Sequence, residues 1–394
     1  MKRFLLVTSF LTVCFFSRAQ ITWDGGGDGT SWHDASNWVG DIIPGKLDNV
    51  LLDNSVIPGN YTVTLGSGPV TDTIVSLTIF PTTGNTIRLL MPTTNTVTAG
   101  AFVTTGTGYS IIINNGGIFD NNSGVTSGTN LTINDSIRIN NGGKYIHRTR
   151  SGHAAWTIRL SRISGTEFGV FEFDVPSSFV YAISTATNRV YPTLVLSSSE
   201  AGGVKSYTSN AGGSPVVNGN FVINSGVTYS YTPPAAGVTF LVNHNCVVSS
   251  SSTLNISASG TNTMTFQLKG DLVNNGTIRE TGASVSTSLE FNGNTNQSIS
   301  GTGLLLDTIT VNINNSAGVT INDPLTLPYN LTLTNGKITT TSTNLLTMVD
   351  NATYTGGSTT SFIDGPMKKR GDDDFIFPVG KGSIFAPIGI SGGS

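Results

Sequence analysis

Ile113-Asn-Asn-Gly-Gly117 and Ile139-Asn-Asn-Gly-Gly143 are the same five-residue phrase met twice, at an interval of about 26 residues that is close to one turn of a solenoid. The pattern is an aliphatic residue, then Asn or Thr, then small polar residues or Gly before a new apolar run. It returns at Ile223-Asn-Ser-Gly226, Val273-Asn-Asn-Gly276, Ile313-Asn-Asn-Ser316 and Leu333-Thr-Asn-Gly336. The later gaps of roughly 84, 50, 40 and 20 residues lie near small multiples of roughly 20 to 26, the size of such a turn. Asn and Gly accept the left-handed backbone at little cost, so such a pair lets the chain turn a corner and restart a strand above the previous one.

Around these phrases, residues 50 to 350 carry short Val/Ile/Leu/Thr runs, such as Tyr61 to Leu65, Thr73 to Phe80, Ser110 to Ile113 and Leu331 to Thr334. Asn, Gly and Ser clusters separate them, with almost no helical period. The expectation is an all-β chain folded as a right-handed parallel β-helix, a β-solenoid. At a strand spacing of about 4.8 Å, about fifteen coils of roughly 22 residues would stack into a rod about 70 Å long. A β-sandwich array also suits closely spaced turn signals, but no sandwich-sized boundary interrupts residues 50 to 350.

Composition agrees with an extracellular rod. The 394 residues include 47 Gly, and only 11% are charged. Twenty basic residues against 23 acidic ones leave no excess to neutralise phosphates, so nucleic acid is not an expected partner. Residues 1–19 read as a signal peptide: Lys2 and Arg3, a mostly apolar stretch from Phe4 to Phe16, then Ser17-Arg18-Ala19. Its removal leaves 17 basic residues, no transmembrane segment in the mature chain, and Cys246 as the one cysteine, with no disulfide to form. The expected location is secreted or at the outer cell surface. The expected domains are an N-terminal cap at 20–50, the β-helix at 51–360, and at 361–394 the start of a further β-sandwich-like module.

Trp23-Asp-Gly-Gly-Gly-Asp-Gly29, Trp32, Asn37-Trp38, Pro44 and Asp48 resemble the start of large secreted surface proteins of the Bacteroidota, cargo of type IX secretion. Phe291-Asn-Gly-Asn-Thr-Asn-Gln-Ser-Ile-Ser-Gly301, Leu331-Thr-Leu-Thr-Asn-Gly336, Phe377-Pro-Val-Gly380 and Ala386-Pro387 are similar to their repeats. The resemblance implies an adhesin-like surface protein followed by further modules and a sorting domain, so the chain ending at Ser394 is expected to be partial. It also implies O-glycosylation at Thr73, Ser136 and Thr308 within Asp72-Thr-Ile74, Asp135-Ser-Ile137 and Asp307-Thr-Ile309.

The candidate chemistry is sparse. Trp23, Trp32 and Trp38 suit a cap over the open end of the core, or alternatively a platform for sugar rings. Asp24, Asp28 and Asp34 in a Gly-rich loop could gather oxygens for Ca²⁺, without an EF-hand's terminal Glu. The least repetitive segment, Lys144 to Glu200, holds Lys144, His147, Arg150 and His153, with Glu172 and Asp174 on a following strand. These are the candidates for polysaccharide lyase or hydrolase chemistry, which needs paired carboxylates or a basic residue beside Ca²⁺. No known active-site motif joins them. The Arg370-Gly-Asp372 tripeptide reads as a charged turn. The favoured function is a non-catalytic scaffold or adhesin whose partners are cell-surface glycans or matrix. The alternative is a carbohydrate-binding or polysaccharide-degrading β-helix.

Overall fold

The computed structural model describes residues 20–392 apart from 200–203, 211 and 283–286; the expected signal peptide at 1–19 lies outside the described residues. The chain is a β-solenoid of about 13 turns with parallel stacked strands. Three faces line a continuous apolar core. The long face is one fifteen-stranded sheet, from Tyr61–Thr64 to Val379–Lys381 and Ile384–Phe385. A second face holds five strands from Gln20–Thr22 to Ser136–Ile139, then eight from Val190–Tyr191 to Thr353–Gly356. A third face holds three strands ending at Thr129–Ile133, six from Tyr181–Ser184 to Leu304–Leu305, and three ending at Met367–Lys369.

Alternation within strands becomes columns across coils, because parallel pairing in register places like positions above one another. On the long face Leu89, Phe119, Tyr145, Phe171, Leu194, Phe221 and Cys246 succeed each other in register and are all buried. Cys246 is thus a core residue, and burial pushes its thiol up to about 12.

The repeated phrases mark corners, but two kinds of corner. Those at 113, 139, 313 and 333 join the second face to the long face, whereas those at 223 and 273 join the long face to the third. This explains the imperfect multiples: the interval from Ile139 to Ile223 is three coils plus one strand, because the phrase changes corner on the way. Most register steps along the long face are close to that from Lys144 to Val170 or from Cys246 to Leu272, roughly 26 residues per coil. Coils are therefore longer and fewer than the fifteen short ones expected from sequence.

At the shared corner, Gly116 and Gly142 both have positive φ, 79° and 82°. A Cβ on Gly142 would lie 2.1 Å from Asn115 Oδ1, and the Gly116 N–H donates to the Gly142 carbonyl at 3.1 Å, so only Gly fits. Beside them Asn140 Nδ2 donates to Asn114 Oδ1 at 2.6 Å, tying successive coils together.

Both ends differ from the expected boundaries. Gln20–Thr22 already pairs in parallel with Asn49–Leu51, so the solenoid ladder begins before the expected cap ends. Parallel stacking continues past 360 to Val379–Lys381. Antiparallel strand pairs appear only there among the described residues, as Gly380↔Phe385 and Phe375↔Ile390.

Candidate functional site

Side chains with chemistry gather in three places. At the N-terminal end Trp23, Trp32 and Trp38 are fully buried, Trp38 standing edge-on to the other two at 4.9 and 4.8 Å. Trp38 Nε1–H donates to the Trp32 carbonyl at 2.8 Å. An indole with no exposed face has nothing to offer a sugar ring, so the platform reading gives way to closure of the core.

The adjoining Asp24, Asp28 and Asp34 are used as loop acceptors. Asp28 Oδ1 accepts from the N–H groups of Ser31 (2.7 Å) and Thr30 (2.8 Å) and from Asn37 Nδ2 (2.9 Å), which hold its carboxyl down at about 2. Asp34 accepts from the Asp28 and Ser36 N–H groups, and Asp24 from that of Gly26. Their ligand atoms do not converge. Among the described residues the one such acidic group is Asp350, Asp372 and Asp373, within 4.8 Å of one another at the charged turn, where Lys369 Nζ already pairs with Asp373 at 2.5 Å.

The third place is the central segment, where two faces break. Between Ser136–Ile139 and Val190–Tyr191 the second face is continued only by an isolated bridge, Ile137 to Leu160. Between Thr129–Ile133 and Tyr181–Ser184 the third face lacks a strand altogether, and a one-turn helix, Ala154–Thr157, plugs the core with Trp156. Of the candidates here, Lys144 is ion-paired with Glu172. Asp174 accepts from Arg148 Nε at 3.0 Å, and Arg148 also holds buried Asp120 at 2.9 Å, which Arg88 meets as well.

His147 and His153 are buried around Tyr181. One proton arrangement satisfies the whole cluster. The Ser184 N–H donates to His153 Nε2 (3.0 Å), so His153 Nδ1–H donates to the Tyr181 oxygen (2.8 Å). The Tyr145 hydroxyl donates to His147 Nδ1 (3.3 Å), so His147 Nε2–H donates to the same oxygen (2.8 Å). Tyr181 O–H then donates to the Ser151 carbonyl (2.6 Å). Both rings are neutral: burial pushes His147 down to about 4, and burial, then the neighbouring His147 and Arg189, hold His153 well below its ordinary value. Their nitrogens are spent on this hub, so neither is poised to move a substrate proton.

Over the hub lies an open hollow of about 400 Å³, lined among others by Thr126, Arg150, His153, Phe179, Tyr181 and Asn210. The sequence points to the histidines and Arg150, but not to Asn121 and Asn130, which bond each other and, through Tyr145 and Ser151, the hub. The one-coil step that pairs Asn121 with His147 was the available signal.

The glycosylation candidates are spread along the rod. Thr73 lies on a third-face strand beside buried Asp72, whose partner is His33 at 2.8 Å. Ser136 Oγ donates to Asp135 (2.9 Å) and Thr308 Oγ1 to Glu280 (2.6 Å). No helix among the described residues is long and apolar enough to cross a membrane. No protein-family model, curated protein or solved structure matches the chain.

Proposed function

We propose that the protein is a non-catalytic, secreted or cell-surface scaffold of adhesin-like character, a rigid spacer that presents surface to glycans or matrix. The observation that carries the reading is the uninterrupted fifteen-stranded face, which fixes the relative position of every coil from Tyr61 to Phe385. About 13 coils at a strand spacing of about 4.8 Å give a rod on the order of 60 Å. The catalytic candidates support it too: Lys144, Glu172 and Asp174 are engaged in ion pairs, and His147 and His153 in the buried hub. The signal-like leader and the likeness to type IX cargo supply the extracellular setting.

Small-angle scattering of the purified protein should give an elongated pair-distance profile; a compact one overturns the spacer. Cells displaying the protein should adhere to a glycan or matrix coating and lose adhesion when it is removed. Turnover of a polysaccharide that Arg150→Ala abolishes would instead establish the degrading alternative.

A further inference from the structure

The missing strand of the third face leaves a hollow lined by residues from four successive coils. Thr126, Arg150, Phe179 and Asn210 stand around it, and the bonds within the hub occupy the polar atoms of His153 and Tyr181 beneath. The floor is thus ring carbon, the rim is hydroxyl and amide, and one cation stands at the edge. At about 400 Å³ the hollow falls within the size range of small-ligand sites.

Arg150 is the distinctive element. Its guanidinium carbon lies 4.4 Å over the Phe179 ring, and among the described residues the side chain has no hydrogen bond or ion pair. The carboxylates on the long face of these coils are occupied: Asp120 and Asp174 by Arg148, Glu172 by Lys144. Five N–H donors in a fixed fork, partly stripped of water by an aromatic ring, suit a bidentate carboxylate.

Phe179, 56% exposed, is held out by its loop. Lys205 Nζ donates to the carbonyls of Ser177 (2.8 Å) and Phe179 (2.7 Å), and Ser177 is held at φ 72°, a conformation that favours glycine. A clamped, strained turn that leaves a large apolar ring in water beside an unpaired cation fits a ligand with an apolar face and a negative charge. A pyranose carrying a carboxylate has both, with C–H groups for the ring and hydroxyls for Asn210 and Thr126.

We propose that this hollow binds a uronate residue of an acidic glycan, with Arg150 holding the carboxylate and Phe179 the sugar face. The site adds to the scaffold reading without resting on it: scattering tests the rod, and titration tests the site. β-1,4-Linked triglucuronate is titrated calorimetrically into the purified protein beside cellotriose, which carries CH₂OH in place of each carboxylate. Triglucuronate should bind at least tenfold tighter than cellotriose. Arg150→Ala should lose at least tenfold and Phe179→Ala severalfold, with melting temperatures unchanged because neither side chain packs in the core. Arg150→Glu, which keeps a long polar chain but reverses the charge, should abolish binding.

No triglucuronate binding, equal binding of cellotriose, or full retention by Arg150→Ala overturns the proposal. Acetate binding as tightly as the trisaccharide reduces the hollow to an anion site and overturns the sugar assignment.

Discussion

The stretch from Lys205 to Gly356 and the central segment at residues 144–184 satisfy their backbone and core in opposite ways. In the first, register does everything. The second face carries Phe240, Phe266, Leu289, Val311, Leu331 and Tyr354 inward in one column. Thr239, Thr265, Ser288, Thr310, Asn330 and Thr353 form a neighbouring outward column, some joined by hydroxyl bonds such as Ser288 Oγ to Thr265 at 3.3 Å. In the second, strands are missing from two faces, so side chains replace them. His153 Nε2 accepts the Ser184 N–H, and Trp156 fills core space 5.0 Å from Tyr145 and 5.6 Å from Phe171. A solenoid tolerates a broken coil when specific polar and aromatic groups stand in for the ladder, and those groups then have fewer substitutes than a ladder residue does.

Truncating one ring in each region measures that difference at its largest. Phe173 touches the rings of His147, His153 and Tyr181, whereas Phe266 is stacked on Phe240 within regular coils. Phe173→Ala should cost about 5 kcal/mol and Phe266→Ala about 3, since the regular coils can settle into the space. Equal costs in urea denaturation would remove the distinction.

Acid should act on the same region. A histidine pushed down to about 4 binds a proton later than in the unfolded chain, where it titrates near 6.5. The unfolded state therefore gains protons first, and stability falls as pH drops from 6.5 to 4, by about 3 kcal/mol for His147. His153 works in the same direction, while Asp28, held at about 2, matters only below 3.8. Hydrogen exchange corrected for intrinsic rates should show Tyr145–His147 and Ser184 losing protection at pH 5 before Phe266 does. A uniform loss along the rod would refute a local origin.

The regular region was legible because corner chemistry and alternation are short-range properties. An Asn-Gly phrase such as Ile139-Asn-Asn-Gly needs nothing distant to be read as a turn. The number of coils was less so, since the phrase serves two different corners and its spacing mixes coil length with strand length. In the central segment, residue types pointed to His147, Arg150 and His153 but not to their state. Whether a histidine is a catalyst or a buried acceptor depends on which side chains stand one coil away, such as Tyr181 above His153. The same holds for Trp32: sequence offers a cap or a sugar platform, and burial decides.

The smallest effects come from deleting one hydroxyl in each region. Tyr181→Phe leaves His153 Nδ1–H facing a carbon in a buried space, while His147 Nε2–H keeps the Ser151 carbonyl at 3.1 Å. Unmade buried bonds are costly, so about 2 kcal/mol should be lost, and the acid transition between pH 6.5 and 4 should shift with it. Thr355→Val removes an oxygen that donates to Thr332 Oγ1 at 3.2 Å on an exposed face. Water replaces that bond, and valine keeps the branched shape a strand favours, so the change should stay within about 0.5 kcal/mol. If Thr355→Val cost as much as Tyr181→Phe, the outward ladder would be a cooperative element of the fold, and the contrast between a forgiving regular rod and a demanding central coil would fail.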